Sequence, residues 1–396
     1  MRLLIHGSEK PLHLQQFRPI MDILDSNQDS EYIFMHSRSA LNLHPRNAFF
    51  HRLRDFCWDR FGKARNTWKD EEWYWIWKRP GENPIRLEKP DPSWQTSAKP
   101  FRGKLPFQPD IVLGTTPHEG HMRYQLIPWA NKSNIPVVSI DHGAPMVPYD
   151  FGVYRGSMMG CKANTCWGEV AANINVGYGA PSTGQIVTGS PTIDELATLE
   201  AGTDFRQKIG IGDEKIILLM TTHREPLKSL TDQTHRDIIN RWGDNPDFRI
   251  IVKPHPVEIL NGTLMELGEN ILVITEQEHL HPLIKAAHCI VSPASSILIP
   301  ALAMATPFVN LHQPGCGLAD ESEIEILKNH LGGADFHPDQ LDQILTEEIT
   351  ADKGKCETAF TRLGYRADGH NAERILDLCK HIMLDKTPES WVDPFN

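Results

Sequence analysis

Short apolar runs of β type alternate with amphipathic stretches of helical spacing along most of the chain, and this alternation constrains the fold more than any other feature. A parallel sheet covered on both faces needs continuous apolar strands joined through helices. RLLIHG (Arg2 to Gly7) reads as a first strand, followed by helical spacing at Leu14, Phe17, Ile20, Met21 and Leu24. Further strands are expected at EYIFMHS, PDIVLGTT, IPVVSIDHG and GQIVTGSP. A second set begins at KIILLMTTHRE and continues through FRIIVKPHP, NILVIT, HCIVSPASS and PFVNLH, and AERILDLCKHIM (Ala372 to Met383) reads as the last strong helix.

At 396 residues the chain exceeds one domain of about 150 residues. The pattern predicts two tandem Rossmann-like α/β domains with an interdomain active-site cleft. The first covers 1–200 and carries an aromatic, basic insertion at about 45–106. The second covers 201–396, and its last helix has the option of returning to the first. Ligands of such sheets bind outside the carboxyl ends of the strands.

Charge sharpens the insertion. The whole chain carries a formal −11, which gives no support to general nucleic-acid binding. Yet His51 to Lys104 carries +5 against −16 for the remainder, and holds six of the ten tryptophans. Amphipathic Trp interleaved with Lys and Arg suits an interface. Trp73, Trp75 and Trp77 are therefore expected to dock a glycan, a polymer phosphate or the inner membrane leaflet; a buried aromatic mini-core is the alternative. The start of the chain has no secretory pattern, and no window approaches the roughly 18 apolar residues of a spanning helix. Seven scattered cysteines lack metal spacing and read as reduced structural thiols. A cytoplasmic protein is expected, with peripheral contact to the inner face of the membrane as an option.

The absent motifs narrow the chemistry. No GxGxxG follows the first strand and no GxxxxGK[ST] occurs, which disfavours dinucleotide oxidoreduction and P-loop phosphoryl transfer. No two aspartates lie two apart, so no obligatory metal or other cofactor is expected. Polar clusters at strand ends are what remains. IDHGAP places His142 where its near-neutral proton affinity suits a general base. MTTHRE offers Thr222, His223 and Arg224 to a phosphate. In IIVKPHP, prolines stiffen the backbone around Lys253 and His255, two potential cations for a diphosphate. SPASSILIPALA sets Ser292, Ser295 and Ser296 before an apolar helix expected at 297–305, as an anion-binding loop. Plain caps, turns and backbone-satisfying side chains are the structural alternatives at each position.

Taken in order, HG at 142–143, TGSPTIDEL at 188–196, KPHP at 253–256 and SPASSIL with ALAMATPFV at 292–309 resemble the CDP-glycerol glycerophosphotransferase family and related capsule-polysaccharide transferases of the GT-B fold. The resemblance implies transfer of a sugar or alditol phosphate from a CDP-, CMP- or UDP-linked donor to a cell-envelope polymer. It also implies His142 as base, His255 as the second catalytic histidine, and Ser292, Ser295 and Ser296 on the donor phosphates. LLMTTHRE and RADGHNAERILDL are similar to non-hydrolysing UDP-N-acetylglucosamine 2-epimerases, whose serine loop reads DSGG where this chain has SPASSILIP. A protein that binds nucleotide sugars without chemistry is the third possibility.

Overall fold

The computed structural model describes residues 1–6, 11–27, 29–37, 73–78, 85–87, 105, 107–115, 126–141, 143, 160–177, 179–199, 202–223, 227–268, 271–276, 280–293, 295–311, 338–346 and 350–396. Two compact units divide them. The first takes the described residues of 1–143, 150–194 and 369–396, and the second those of 195–368.

In the first unit the strands are β1 (Arg2–His6), β2 (Glu31–Ser37), β3 (Trp73–Lys78), β4 (Ile85–Leu87), β5 (Ile111–Thr115), β6 (Val137–Ile140), β7 (Ala163–Cys166) and β8 (Gln185–Val187). They form one sheet in the order β4-β3-β2-β1-β5-β6-β7-β8. All described pairs are parallel except β2 with β3 and β3 with β4. The helices are α1 (Pro11–Ser26), α2 (Ile127–Lys132) and α3 (Glu169–Gly177), with α11 (Asn371–Met383) returning from the chain end. Alternation along β1 explains why the run is apolar throughout. Leu3 and Ile5 pack with Phe17 and Ile20 of α1 and with Ile375 and Leu378 of α11, whereas Leu4 packs with Ile127 and Ala130 of α2.

The second unit has β9 (Lys215–Met220), β10 (Phe248–Lys253), β11 (Leu272–Val273), β12 (Cys289–Pro293) and β13 (Phe308–Leu311). They form a parallel sheet in the order β11-β10-β9-β12-β13. Its helices are α4 (Gly202–Lys208), α5 (Leu227–Trp242), α6 (Pro256–Asn261), α7 (Leu280–Ala286), α8 (Leu298–Ala303), α9 (Pro338–Leu345) and α10 (Lys353–Gly364). Strand order reverses between β9 and β12, so ligand chemistry is expected outside the carboxyl ends there.

Two differences from the sequence reading have physical causes. The polar ANTC segment forms strand β7, between β6 and β8, because Asn164 and Thr165 are buried and Asn164 finds side-chain partners on neighbouring elements. Within the insertion, WYWIWK is a strand, antiparallel to β2. Trp73, Trp75 and Trp77 stand opposite Ser37, Met35 and Ile33 in its register. The rest of the insertion, apart from β4, and the orientation of these indoles lie outside the described residues. Among the described residues no helix is long and apolar enough to cross a membrane, and the described cysteines are free thiols.

The return of α11 rests on one buried lock. Asp194 accepts from the Asn371 and Ala372 backbone N–H groups, both at 2.8 Å, satisfying two donors that the helix start leaves open. Asn371 Nδ2 donates to Ser190 O at 3.2 Å. Its Oδ1 accepts from Arg374 Nη1 at 2.9 Å, and Arg374 Nε pairs with Asp393 at 3.0 Å. Asn371 and Arg374 are fully buried. The family-like runs TGSPTIDEL and GHNAERILDL thus meet each other, in a structural role.

Candidate functional site

On the first unit, Asp141 follows β6. Its backbone N–H donates to Thr165 O at 3.1 Å, while its carbonyl accepts from Gln16 Nε2 at 3.0 Å and Trp167 Nε1 at 2.9 Å. That carbonyl belongs to the peptide bond joining Asp141 to His142, so buried groups from α1 and from the end of β7 hold the chain just before the candidate base. His142 itself lies outside the described residues, as does Arg224. Around the Asp141 carboxyl, Asn164 Nδ2 donates at 3.1 Å and Asn175 Nδ2 at 3.4 Å. The same two amides reach Gln185 Oε1, each at 3.2 Å, and Ser139 Oγ donates to Asn164 Oδ1. Burial pushes the Asp141 carboxyl up to about 7, against the lowering effect of both asparagines.

On the second unit, the ends of β9 and β10 carry a second network. Glu258 is fully buried. Its carboxylate accepts from the Thr221 hydroxyl, from Lys228 Nζ at 2.7 Å and from the His255 backbone N–H at 3.3 Å. That N–H also donates to Thr221 Oγ1 at 2.8 Å. The His255 side chain caps α6, its Nδ1 accepting from Val257 N at 3.2 Å. The rings of His223 and His255 lie against each other at a tilt of 38°, with centroids 4.3 Å apart. Thr221, His223 and His255 therefore converge at the carboxyl ends of adjacent strands, while Thr222 is buried beside them.

Two expected donor-binding residues are placed differently. Lys253 is not an open cation: it is 2% exposed, and its ammonium donates to Thr275 O at 3.2 Å. Burial pushes it down to about 8, with Glu276 opposing. Ser292 lies fully buried in β12, its hydroxyl donating to Pro293 O at 2.9 Å. The strand ends at Pro293, one residue beyond Ser292, so this serine still belongs to the sheet and faces the interior. Ser295 and Ser296 are half-buried in the turn before α8, where Ser295 Oγ accepts from Ile297 N at 3.4 Å. Leu298 to Leu302 are buried and give that turn a rigid base. Among the described residues, no group of three or more His, Cys, Asp or Glu is placed to hold a metal ion.

Sequence reading missed Glu258, Gln16, Trp167, Asn164 and Asn175. Only Glu258 had a readable signal: His255 and Glu258 stand at the spacing of a capping box. The others depend on strand neighbours far away in the chain.

Two buried groups give the protein opposed pH dependences. Asp141 holds its proton more tightly folded than unfolded, so its contribution to stability is full below pH 3.8 and lost as pH rises through about 7. His235, fully buried on α5, is pushed down to about 3 by burial and then by Lys228. Its contribution is full above pH 6.5 and lost as pH falls toward 3. Between pH 4.5 and 6 the two oppose each other. We expect Asp141→Asn to leave an unfolding free energy that rises with pH over that range, and His235→Gln one that falls. Each slope is at most about 1.4 kcal/mol per pH unit. Urea titrations at the two pH values check this, and unchanged slopes in both variants would refute the assignment.

Comparisons with known proteins bear on the fold and on residues 177–309. Residues 177–309, about a third of the chain, match the model of the family described as CDP-Glycerol:Poly(glycerophosphate) glycerophosphotransferase. No curated protein matches. Among solved structures, the UDP-GlcNAc 2-epimerase from Neisseria meningitidis bound to UDP-GlcNAc is similar at TM-score 0.56 and 15% identity, over 95% of this chain and 99% of that one. The UDP-N-acetylglucosamine 2-epimerase from Rickettsia bellii gives 0.58 and 14%, over 97% of both chains. A variant of the wall teichoic acid polymerase TagF gives 0.58 and 11%, over 97% of this chain and 89% of that one. At these identities the structures speak for the fold, and the family match for the chemistry. The chain is a transferase of the two-unit GT-B fold that resembles, over residues 177–309, the CDP-glycerol:poly(glycerophosphate) glycerophosphotransferases.

Proposed function

We propose that the protein transfers a glycerol phosphate, or a related alditol phosphate or sugar, from a cytidine or uridine nucleotide to a cell-envelope or capsule polysaccharide. The observation that carries this reading is the family match over 177–309, which spans Thr221 to His223, Lys253 to Glu258 and the serine turn. In the alditol-phosphate case an acceptor hydroxyl oxygen attacks the donor phosphorus, the bond to the nucleotide monophosphate breaks, and His142 takes the hydroxyl proton. Thr222, His223, Arg224 and His255, with Ser295 and Ser296, are assigned to the donor's anionic groups, where hydrogen-bond donors stabilise departing charge. Lys253 is assigned a supporting role through Thr275. The β3 tryptophans are proposed to dock the acceptor, at the inner face of the membrane.

Thermal shift with CDP, CMP, UDP and their glycerol, ribitol and N-acetylhexosamine conjugates tests the reading. A true donor at a hundred times its Kd should stabilise the protein by about 2.7 kcal/mol. If no nucleotide moves the transition, the donor assignment fails. The fold shared with the epimerases supports a second reading, which predicts interconversion of UDP-N-acetylhexosamines with no acceptor present. Transfer requires the acceptor.

A further inference from the structure

A histidine whose Nδ1 accepts a backbone hydrogen bond cannot carry a proton there, so in its neutral form the proton sits on Nε2. His255 is in this position: Val257 N–H donates to Nδ1 at 3.2 Å. The surroundings fix the residue as well as the tautomer. Glu258 has no exposed surface and orients the Thr221 hydroxyl by accepting its hydrogen bond, which turns the oxygen lone pairs toward the His255 N–H. Lys228 neutralises the carboxylate and is held in turn by Asp232 at 2.9 Å. The end of β9 and the start of α6 are thereby joined through buried groups, and His255 is displayed against the ring of His223.

We propose that His255 acts as a neutral Nε2–H hydrogen-bond donor to an anionic group of the nucleotide, and that Thr221 and Glu258 are the positioning residues that hold it so. The inference rests on the nucleotide-donor reading above and narrows it: this histidine neither accepts a proton from the acceptor nor bears a positive charge. Gln and Asn separate the two ring nitrogens, because a Gln amide places an N–H near the Nε2 position while an Asn oxygen reproduces the cap at Nδ1.

The test compares His255→Gln and His255→Asn by calorimetric titration with CDP and with UDP, alongside melting temperature. His255→Gln should bind within about threefold of wild type, and His255→Asn about tenfold or more weakly while melting close to wild type, the size of one hydrogen bond to a charged group. Thr221→Val should weaken binding about tenfold, Thr221→Ser should restore it, and Thr221→Val should add nothing in a His255→Asn background. Equal loss in Gln and Asn would show that the imidazole itself is needed, and equal retention would show that it touches no ligand; either overturns the proposal. Additive losses would overturn the positioning role. A long-range proton–nitrogen spectrum of the free protein, with His255 assigned by its absence in His255→Asn, should show Nδ1 bare and Nε2 protonated at neutral pH. Protonated Nδ1 would overturn the tautomer assignment without any ligand. Failure of wild type to bind either nucleotide would instead sink the donor reading and leave the spectrum as an independent result.

Discussion

Gly189→Ala should destabilise the first unit by about 3–5 kcal/mol, among the largest effects a single methyl group can have. Gly189 adopts φ +77°, where a side chain costs roughly 1–2 kcal/mol. A Cβ built there would lie 2.2 Å from Asn371 Oδ1 and 2.5 Å from its Cγ, so Asn371 must move. Moving it breaks the bonds to Ser190 O and from Arg374, and leaves a buried guanidinium short of a partner at about 1–3 kcal/mol. The check is urea unfolding of Gly189→Ala, Asn371→Ala and the double variant. Asn371→Ala makes room for the methyl, so Gly189→Ala should cost less in that background than alone. A single variant within about 1 kcal/mol of wild type would show that the lock does not hold α11 to the sheet.

His142→Ala should reduce turnover by about 10²–10⁴-fold, the usual contribution of a positioned general base, while nucleotide affinity stays near wild type. The physical basis is the invested rigidity around the preceding peptide. Two side-chain donors, Gln16 Nε2 and Trp167 Nε1, converge on the carbonyl that links Asp141 to His142, and Asp141 N is tied to Thr165. Two side-chain donors exceed what a plain strand-to-loop transition requires. Trp167→Phe, which deletes one of them, should lower turnover without altering nucleotide binding. Near-normal turnover in His142→Ala would remove the base assignment. A parallel loss of nucleotide affinity would move His142 to donor binding.

The two results bear on different halves of the family-like motifs. TGSPTIDEL serves the fold: Gly189, Ser190 and Asp194 all contact Asn371 or its neighbour. KPHP divides its residues, since His255 caps α6 beside His223 whereas Lys253 spends its ammonium on Thr275 O. Short motifs of equal apparent weight therefore have separate physical roles, which the order of residues alone cannot assign.

Hydrophobic patterning settled the α/β class and located most strands, because burying both faces of a parallel sheet demands unbroken apolar runs such as RLLIH and KIILLM. The polar clusters at strand ends were legible for the same reason: the strand stops where side chains meet ligand or solvent. Tertiary structure alone decided what the pattern could not encode. ANTC became a strand because Asn164 finds Asp141 and Gln185 as partners, 23 and 21 residues away in sequence. Ser292 turned inward because β12 continues past it. Glu258, on α6, acquired its role only when Thr221, just past the end of β9, came within reach of its carboxylate. Periodicity is a local property of the chain and can be read from it. The satisfaction of a buried polar atom depends on partners that only folding brings together.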